Sequence, residues 1–299
     1  MFIFFKTLYR TILRILPTRP ALYIMYFRGY RKVLNLKNPK YYGEKIQWLK
    51  LYGNMEELGD YVDKYKVREY VKRTIGEQYL IGVLGLYDNI DDIDFNILPD
   101  RFVMKCTNGS QSVLICKDKS KLNIDKAKKI MKGWLDERFY RVKKEFQYKY
   151  VKNRILIEEY MEDDTGELRD YKLYCFNGEP QILCVWNGRF GNKTIDAYDM
   201  NGVFLPDFQN GSKRTKTSDE PADIRVYLEE LKELSKTLSK CFTFVRTDFY
   251  IVNGRVYFGE LTFSDGAGCE PMFPINKYDV AFGSSIPLEP ILIEQEKRG

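Results

Sequence analysis

The run FVRTDFYIVNGRVYFGELTF, Phe244 to Phe263, leaves little choice of fold. Two stretches rich in Val, Tyr, Phe and Thr flank Asn253-Gly254, the strongest short turn signal, and predict a β-hairpin. Inside it stand Arg246, Asp248 and Glu260, which need water or partners in so apolar a setting. Register decides where they point, because a one-residue slip turns a strand's side chains to the other face. A two-residue Asn-Gly loop pairs Val252 with Arg255 and separates Asp248 from Glu260. A three-residue loop with Gly254 in a bulge pairs Ile251 with Arg255 and brings Arg246, Asp248, Glu260 and Thr262 onto one face. The other face then carries Val245, Phe249, Ile251, Tyr257 and Leu261. That apolar set favours the three-residue loop.

The chain of 299 residues is 44% hydrophobic and 30% charged, the composition of a globular protein able to bury a sizeable core. Of the 48 Lys and Arg, eight lie in residues 1–37, which hold no acid. The net charge of +6 is therefore a property of that segment, and the remainder is slightly acidic. This argues against nucleic acid as a partner. The chain has no histidine, which removes Ser-His-Asp chemistry, a histidine base and histidine metal ligands. Its six cysteines form no C-x-x-C pair and read as small core residues of a reducing compartment.

No stretch has the roughly 20 uninterrupted apolar residues of a spanning helix. Residues 1–16 put Phe2, Phe5, Leu8, Ile12, Ile15 and Leu16 on one helical face, with basic residues elsewhere. Such a helix either lies on an anionic membrane surface or docks on its own protein. The expected localisation is cytoplasmic, with peripheral contact at the inner face of the cell membrane.

Helical spacing follows in GEKIQWLKLYG, DKYKVREYVKRTIGEQYL, the charged run 123–150 with Trp134, Leu135 and Phe139 on its buried stripe, and 225–240. Hairpins are predicted at 102–116 and at DYKLYCFNGEPQILCVW, and a strand at RILIEEYM. Residues 207–223 read as a polar loop. Helices and hairpins mix without βαβ alternation, so the fold class is α+β.

Asp248 and Glu260 offer hard oxygens for Mg²⁺, or else balance Arg246. Lys105 beside the Asn108-Gly109-Ser110 turn can hold phosphate, or be an ordinary surface lysine. Glu158, Glu159, Asp170 and Lys172 read either as nucleotide contacts or as ion pairs.

The segments NPKYYGEKIQWLK, DKYKVREYV, LPDRFVMKC, KDKSKL, DYKLYCFNGE and FVRTDFY…VYFGELTF, in this order, resemble the ATP-grasp superfamily, and most closely its TupA-like branch of teichuronopeptide and surface-polysaccharide synthesis. The resemblance runs from about Asn38 to Leu288 and implies an ATP-grasp fold: a small lid and a larger central subdomain clasping ATP, with a helical N-terminal region. The implied division is 1–37 basic segment, 38–101 helical region, 102–157 lid and 158–299 central subdomain. Lys64, at a helix start, and Lys105 would contact the phosphates, under a flexible loop spanning Asn108, Gly109, Ser110 and Gln111 to Ser112. Glu158, Glu159, Tyr160 and Met161 would line the adenine, with Asp170 and Lys172 near ribose or phosphates. Asp248, Glu260 and Thr262 would hold Mg²⁺, Thr262 standing where wider ATP-grasp ligases usually have Asn. Arg246 and Lys105 would be catalytic, Arg246 facing the transferred phosphoryl group.

The implied activity is an ATP-dependent carboxylate–amine ligase working through an acyl phosphate. Its partners would be a polysaccharide or lipid-linked saccharide acceptor and an amine or amino acid. The alternatives are a kinase of a sugar or lipid-linked sugar and a non-catalytic nucleotide-binding component of polysaccharide assembly. Acceptor contacts are expected in Val185–Gly211, with Arg189 and Lys193, and in Ser264–Asp279.

Overall fold

The computed structural model describes residues 2–110, 112–188, 191–209, 216–271, 273 and 277–292, with side chains from residue 7 onward. Gln111 and Arg189 lie outside the described residues, as do 210–215 of the expected polar loop.

Two helices open the chain, α1 (Phe2–Ile15) and α2 (Thr18–Tyr30), followed by α3 (Tyr42–Tyr52), α4 (Gly59–Val62) and α5 (Val67–Thr74). Glu44 starts α3 by accepting from the backbone N–H groups of Lys40 and Tyr41 at 2.8 and 3.2 Å, which satisfies donors a helix leaves open. Strand β1 (Val83–Tyr87) comes next, then β2 (Phe102–Cys106) and β3 (Val113–Cys116). Helices α6 (Ile124–Leu135) and α7 (Tyr140–Lys143) lead to β4 (Ile155–Glu159). These strands form an antiparallel sheet ordered β1-β4-β2-β3. Its core face carries Phe102, Met104, Cys106, Ile155 and Ile157, covered by Met131 of α6.

The second sheet is larger. Strands β5 (Asp170–Phe176), β6 (Glu179–Asn187), β7 (Thr194–Tyr198), β8 (Phe244–Val252) and β9 (Arg255–Thr262) are ordered β7-β6-β5-β8-β9, all antiparallel. Helix α8 (Leu228–Ser239) buries Leu228, Leu231, Leu234, Ser235 and Leu238 at helical spacing and covers β5, β6 and β8. Its Ser235 hydroxyl lies 2.8 Å from that of Thr247 on the covered face. Helix α9 (Tyr278–Ser285) packs on α3.

Three expectations change. The β8–β9 hairpin uses the two-residue loop, not the three-residue one: Val252 pairs with Arg255, and Asn253 and Gly254 both have positive φ, +51° and +75°. Those dihedrals match the twist of the flanking strands. Asp248 still faces Glu260, because Gly259 is an extra, unpaired residue between Phe258, opposite Phe249, and Glu260. The bulge also carries Tyr257 to the face of Tyr250, away from Phe249 and Ile251. Second, the 38–101 region is not wholly helical, since β1 pairs with β4. Third, the run 123–150 breaks into α6 and α7, and its buried apolar positions are Ala127, Met131 and Val142, with Trp134, Leu135 and Phe139 only partly covered.

All six cysteines are buried and none forms a disulfide. Among the described residues no helix is long and apolar enough to cross a membrane.

Candidate functional site

Alternation along β5 and β8 sends Asp170, Lys172, Tyr174, Arg246 and Asp248 to the face opposite α8, with Lys172 across from Asp248 and Tyr174 across from Arg246. The β9 register adds Glu260 and Thr262. Arg246 organises this face. Its Nε and Nη2 donate to the two oxygens of Asp248, both at 2.6 Å, and Nη1 donates to Asp265 at 2.5 Å. Nη2 also reaches Glu260 Oε1 and Thr262 Oγ1, each at 3.1 Å. Lys172 Nζ donates to Asp248 Oδ2 at 2.5 Å and lies 3.4 Å from Asp170, and the Tyr174 hydroxyl donates to Asp265 at 2.5 Å.

Asp265 is held by a backbone turn of unusual hand: Gly266, Ala267 and Gly268 all have φ between +54° and +60°. Two side chains of α3 fix that turn, since Gln47 and Lys50 donate to the Ala267 carbonyl at 2.9 and 2.6 Å. A Cβ on Gly268 would come within 2.6 Å of Ile46, so the turn and α3 fit only with glycine there.

Burial raises the pKa of Asp248, while Arg246 and Lys172 oppose that shift. For Asp265 and Glu260 burial is the largest influence and works upward, but Arg246 and Lys172, joined by Tyr174 at Asp265 and by Lys64 at Glu260, together leave both below the ordinary carboxylate range. Asp248 is 1% exposed, whereas the Glu260 side chain is 41% exposed.

The four-stranded sheet supplies cations. Lys105 on β2 and Glu158 on β4 share the face opposite its core and meet at 2.6 Å, with Arg68 of α5 3.6 Å from the same carboxylate. Lys64 lies in the turn between α4 and α5, not at the start of a regular helix. Asp63 shapes that turn by accepting from the N–H groups of Tyr65 and Lys66 at 2.8 and 3.2 Å, and it receives Arg154 at 3.2 Å. Burial lowers the Lys64 pKa, Glu260 opposes this and Lys105 adds to it. Lys64 lies just after α4, which packs on β9, the strand of Glu260, and its backbone N–H donates to the Thr107 carbonyl just after Lys105 at 3.4 Å, so it lies between the two charged faces.

The turn after Lys105 is partly docked. Asn108 is buried and donates to the Glu137 carbonyl at 3.2 Å, and the Gly109 carbonyl accepts from Lys64. A Cβ on Gly109 would lie 2.9 Å from Phe139. Ser110 is exposed.

An open cavity of about 1150 Å³ runs along Glu159, Tyr160 and Met161, with Gly82, Arg169, Tyr171 and Tyr257 among its other walls. None of Lys64, Lys105, Asp248 or Glu260 lines it. Converging donors and cations, which stabilise charge in a transition state, lie instead on the charged faces.

Among the described residues no three carboxylates or thiols converge as a metal cage. Asp248, Glu260 and Thr262 nevertheless suit Mg²⁺, which takes one or two carboxylates and completes its shell with phosphate oxygens and water. Glu260 is open to a cation, whereas Asp248 must exchange a bond from Arg246 or Lys172 first. Arg246, expected to face a phosphoryl group, donates to carboxylates and Thr262 here.

Sequence reading missed Asp265, Tyr174, Asp63 and Arg68. Arg68 had a signal, lying four residues after Lys64 and so on the same side of a helical turn.

The family profile described as TupA-like ATPgrasp matches residues 44–287. No curated protein matches. Solved structures similar to this chain include D-alanine–D-alanine ligase from Bacillus anthracis complexed with ATP, at 16% identity and a TM-score of 0.39, covering 69% of this chain and 54% of that one. Another structure of D-alanine–D-alanine ligase from Bacillus anthracis gives 18%, 0.41, 78% and 70% in the same order. Phosphoribosylamine–glycine ligase from Thermotoga maritima gives 16%, 0.39, 79% and 57%. The chain thus spans about half the length of the first of these ligases.

Proposed function

This chain belongs to the TupA-like ATP-grasp family, and on that premise we propose that it is an ATP- and Mg²⁺-dependent carboxylate–amine ligase. The observation that carries the reading is that α4 and the turn bearing Lys64 bridge a cation-rich face (Lys105, Arg68) and the β9 edge of a carboxylate-rich face (Asp248, Glu260). One suits the phosphates of a nucleotide and the other their counter-cation.

In the reaction a carboxylate oxygen of the acceptor attacks the γ-phosphorus and the bond to ADP breaks. The amine nitrogen then attacks the acyl carbon, phosphate departs, and the nitrogen gives up a proton. Lys105 and Lys64 hold the phosphate oxygens in line, with Glu158 accepting Lys105 when no phosphate is present. Arg246 is a positioning residue that fixes Asp248, Glu260 and Asp265. Mg²⁺, when bound, offsets the charge of the phosphates, and Glu260, Asp248 and Thr262 would hold it. Glu159, Tyr160 and Met161, beside the open cavity, are assigned to the nucleoside.

The acceptor is assigned to a carboxylate-bearing cell-surface polysaccharide or its lipid-linked precursor. The resemblance to surface-polysaccharide synthesis supports this, as does Lys193, whose ammonium sits 3.8 Å over the Trp186 ring at the edge of the five-stranded sheet. Together they offer a cation and an aromatic surface to an anionic sugar.

Calorimetry with MgATP tests the site. Wild type should bind in a Mg²⁺-dependent manner, and Lys105→Met and Asp248→Asn should each weaken binding about tenfold or more. Absence of binding by folded wild type sinks the reading. Phosphate release that requires both carboxylate acceptor and amine marks the ligase, whereas a stable phosphorylated acceptor formed without amine would replace it with a kinase.

A further inference from the structure

The first two helices turn an apolar face to water that the charged site does not use. Leu8, Ile12 and Ile15 recur at helical spacing along one side of α1, and all are exposed, Ile15 by 78%. Tyr23, Ile24 and Phe27 do the same on α2, with Phe27 53% exposed. Phe2 and Phe5, expected on the same face of α1, lie outside the described side chains.

The opposite sides of both helices are buried in one shared cluster. Leu13 of α1 joins Ala21, Leu22, Met25, Tyr26 and Tyr30 of α2, packed with Val142, Ala267 and Cys269. The Arg28 guanidinium, 4.3 Å over the Tyr9 ring, ties the helices together. Both exposed stripes therefore turn away from that common core. Several large apolar side chains facing water on adjoining elements mark a surface that something covers.

Charge selects the occupant. Residues 1–37 carry eight basic residues and no acid. Arg19, Arg28 and Arg31 are exposed on or just after α2, and Arg10 and Arg14 pair with Glu137 while their side chains remain partly in water. A second copy of this chain would set the same arginines against each other across a two-fold axis, which opposes self-association through this face. We propose that the α1–α2 face seats on an anionic membrane surface. Leu8, Ile12, Ile15, Ile24 and Phe27 enter the boundary between headgroups and acyl chains, and the arginines lie at the level of the lipid phosphates. Seating needs no nucleotide, so the inference stands apart from the proposed reaction.

Co-sedimentation of the full chain with phosphatidylglycerol vesicles and with phosphatidylcholine vesicles tests it. Wild type should pellet with the first and stay in solution with the second, and added salt should weaken the association. The combined variant Ile12→Ser, Ile15→Ser, Phe27→Ser changes only exposed positions, so its melting temperature should match wild type. Its vesicle partitioning should fall about a hundredfold. Wild type that ignores phosphatidylglycerol, or a folded variant that binds as well as wild type, overturns the proposal. So does light scattering that shows a dimer which the variant converts to monomer, because the face would then be an interface between copies.

Discussion

The two sheets each present one charged face, and the faces are compensated in opposite senses. On the four-stranded sheet Lys105 and Arg68 share the carboxylate of Glu158, while the neighbouring Lys64 donates to the Gly109 carbonyl. On the five-stranded sheet Asp248, Asp265 and Glu260 share Arg246 and Lys172. Depth differs as well. Lys105 keeps part of its side chain in water, whereas Arg246 and Asp248 keep almost none. A cation at a wet edge can trade one anionic partner for another at small cost. A buried guanidinium clamped by three carboxylates cannot, because each group left alone there is expensive. One face is therefore built to exchange partners, and the other keeps Arg246 clamped and can yield to a cation only at Glu260 and at the Lys172–Asp248 bond.

Arg246→Met attacks the assembled face and should have the largest effect. It strands Asp248 and Asp265 in a buried site and should cost about 3–5 kcal/mol in chemical denaturation. A cost no greater than that of Lys105→Met would erase the contrast.

Acid should sharpen the contrast next. Burial pushes Asp265 upward, but Arg246, then Tyr174, bring its folded pKa below the ordinary value. A depressed folded pKa contributes stability that is present above the unfolded value, about 4, and lost as pH falls through the folded one. Asp265→Asn should cost on the order of 2 kcal/mol at neutral pH. That gap should narrow steadily as denaturation is repeated below about pH 4. A gap independent of pH would mean that Asp265 carries no charge in the folded protein.

The smallest change is Lys105→Met. Arg68 still faces Glu158 and keeps that buried carboxylate paired, so the loss of stability should stay below about 2 kcal/mol. A larger loss would place Lys105 among the structural ions.

Much of this arrangement was legible in the residues, though not always by the right route. The β8–β9 alternation put Arg246, Asp248, Glu260 and Thr262 on one face, and they are there. The register shift expected in the loop arises instead at Gly259. One glycine in a strand reads equally well as a bulge or as a paired residue, and only the partner strand decides. Strand β1 escaped notice because VLGLY is short and interrupted by glycine, and its pairing with β4 is a long-range matter. The Lys105–Glu158 contact needs the β2–β4 register, in which Val103 faces Glu158 and Lys105 faces Leu156. Asp265 was invisible for a different reason. It follows the strand, in a left-handed turn that has no periodicity to read.

The partners that build the carboxylate face come from distant parts of the chain: Lys172 and Asp248 are 76 residues apart, and Tyr174 and Asp265 are 91 apart. The four-stranded sheet is complete once Glu159 has been made, since all its strands precede that point. On the ribosome, a nascent chain therefore owns Lys64 and Lys105 long before Asp248, Glu260 and Asp265 exist. Until Asp265 emerges, Lys172 and Tyr174 wait on β5 without their counterparts, and a chain stalled in that interval is a cation-rich fragment open to any polyanion nearby.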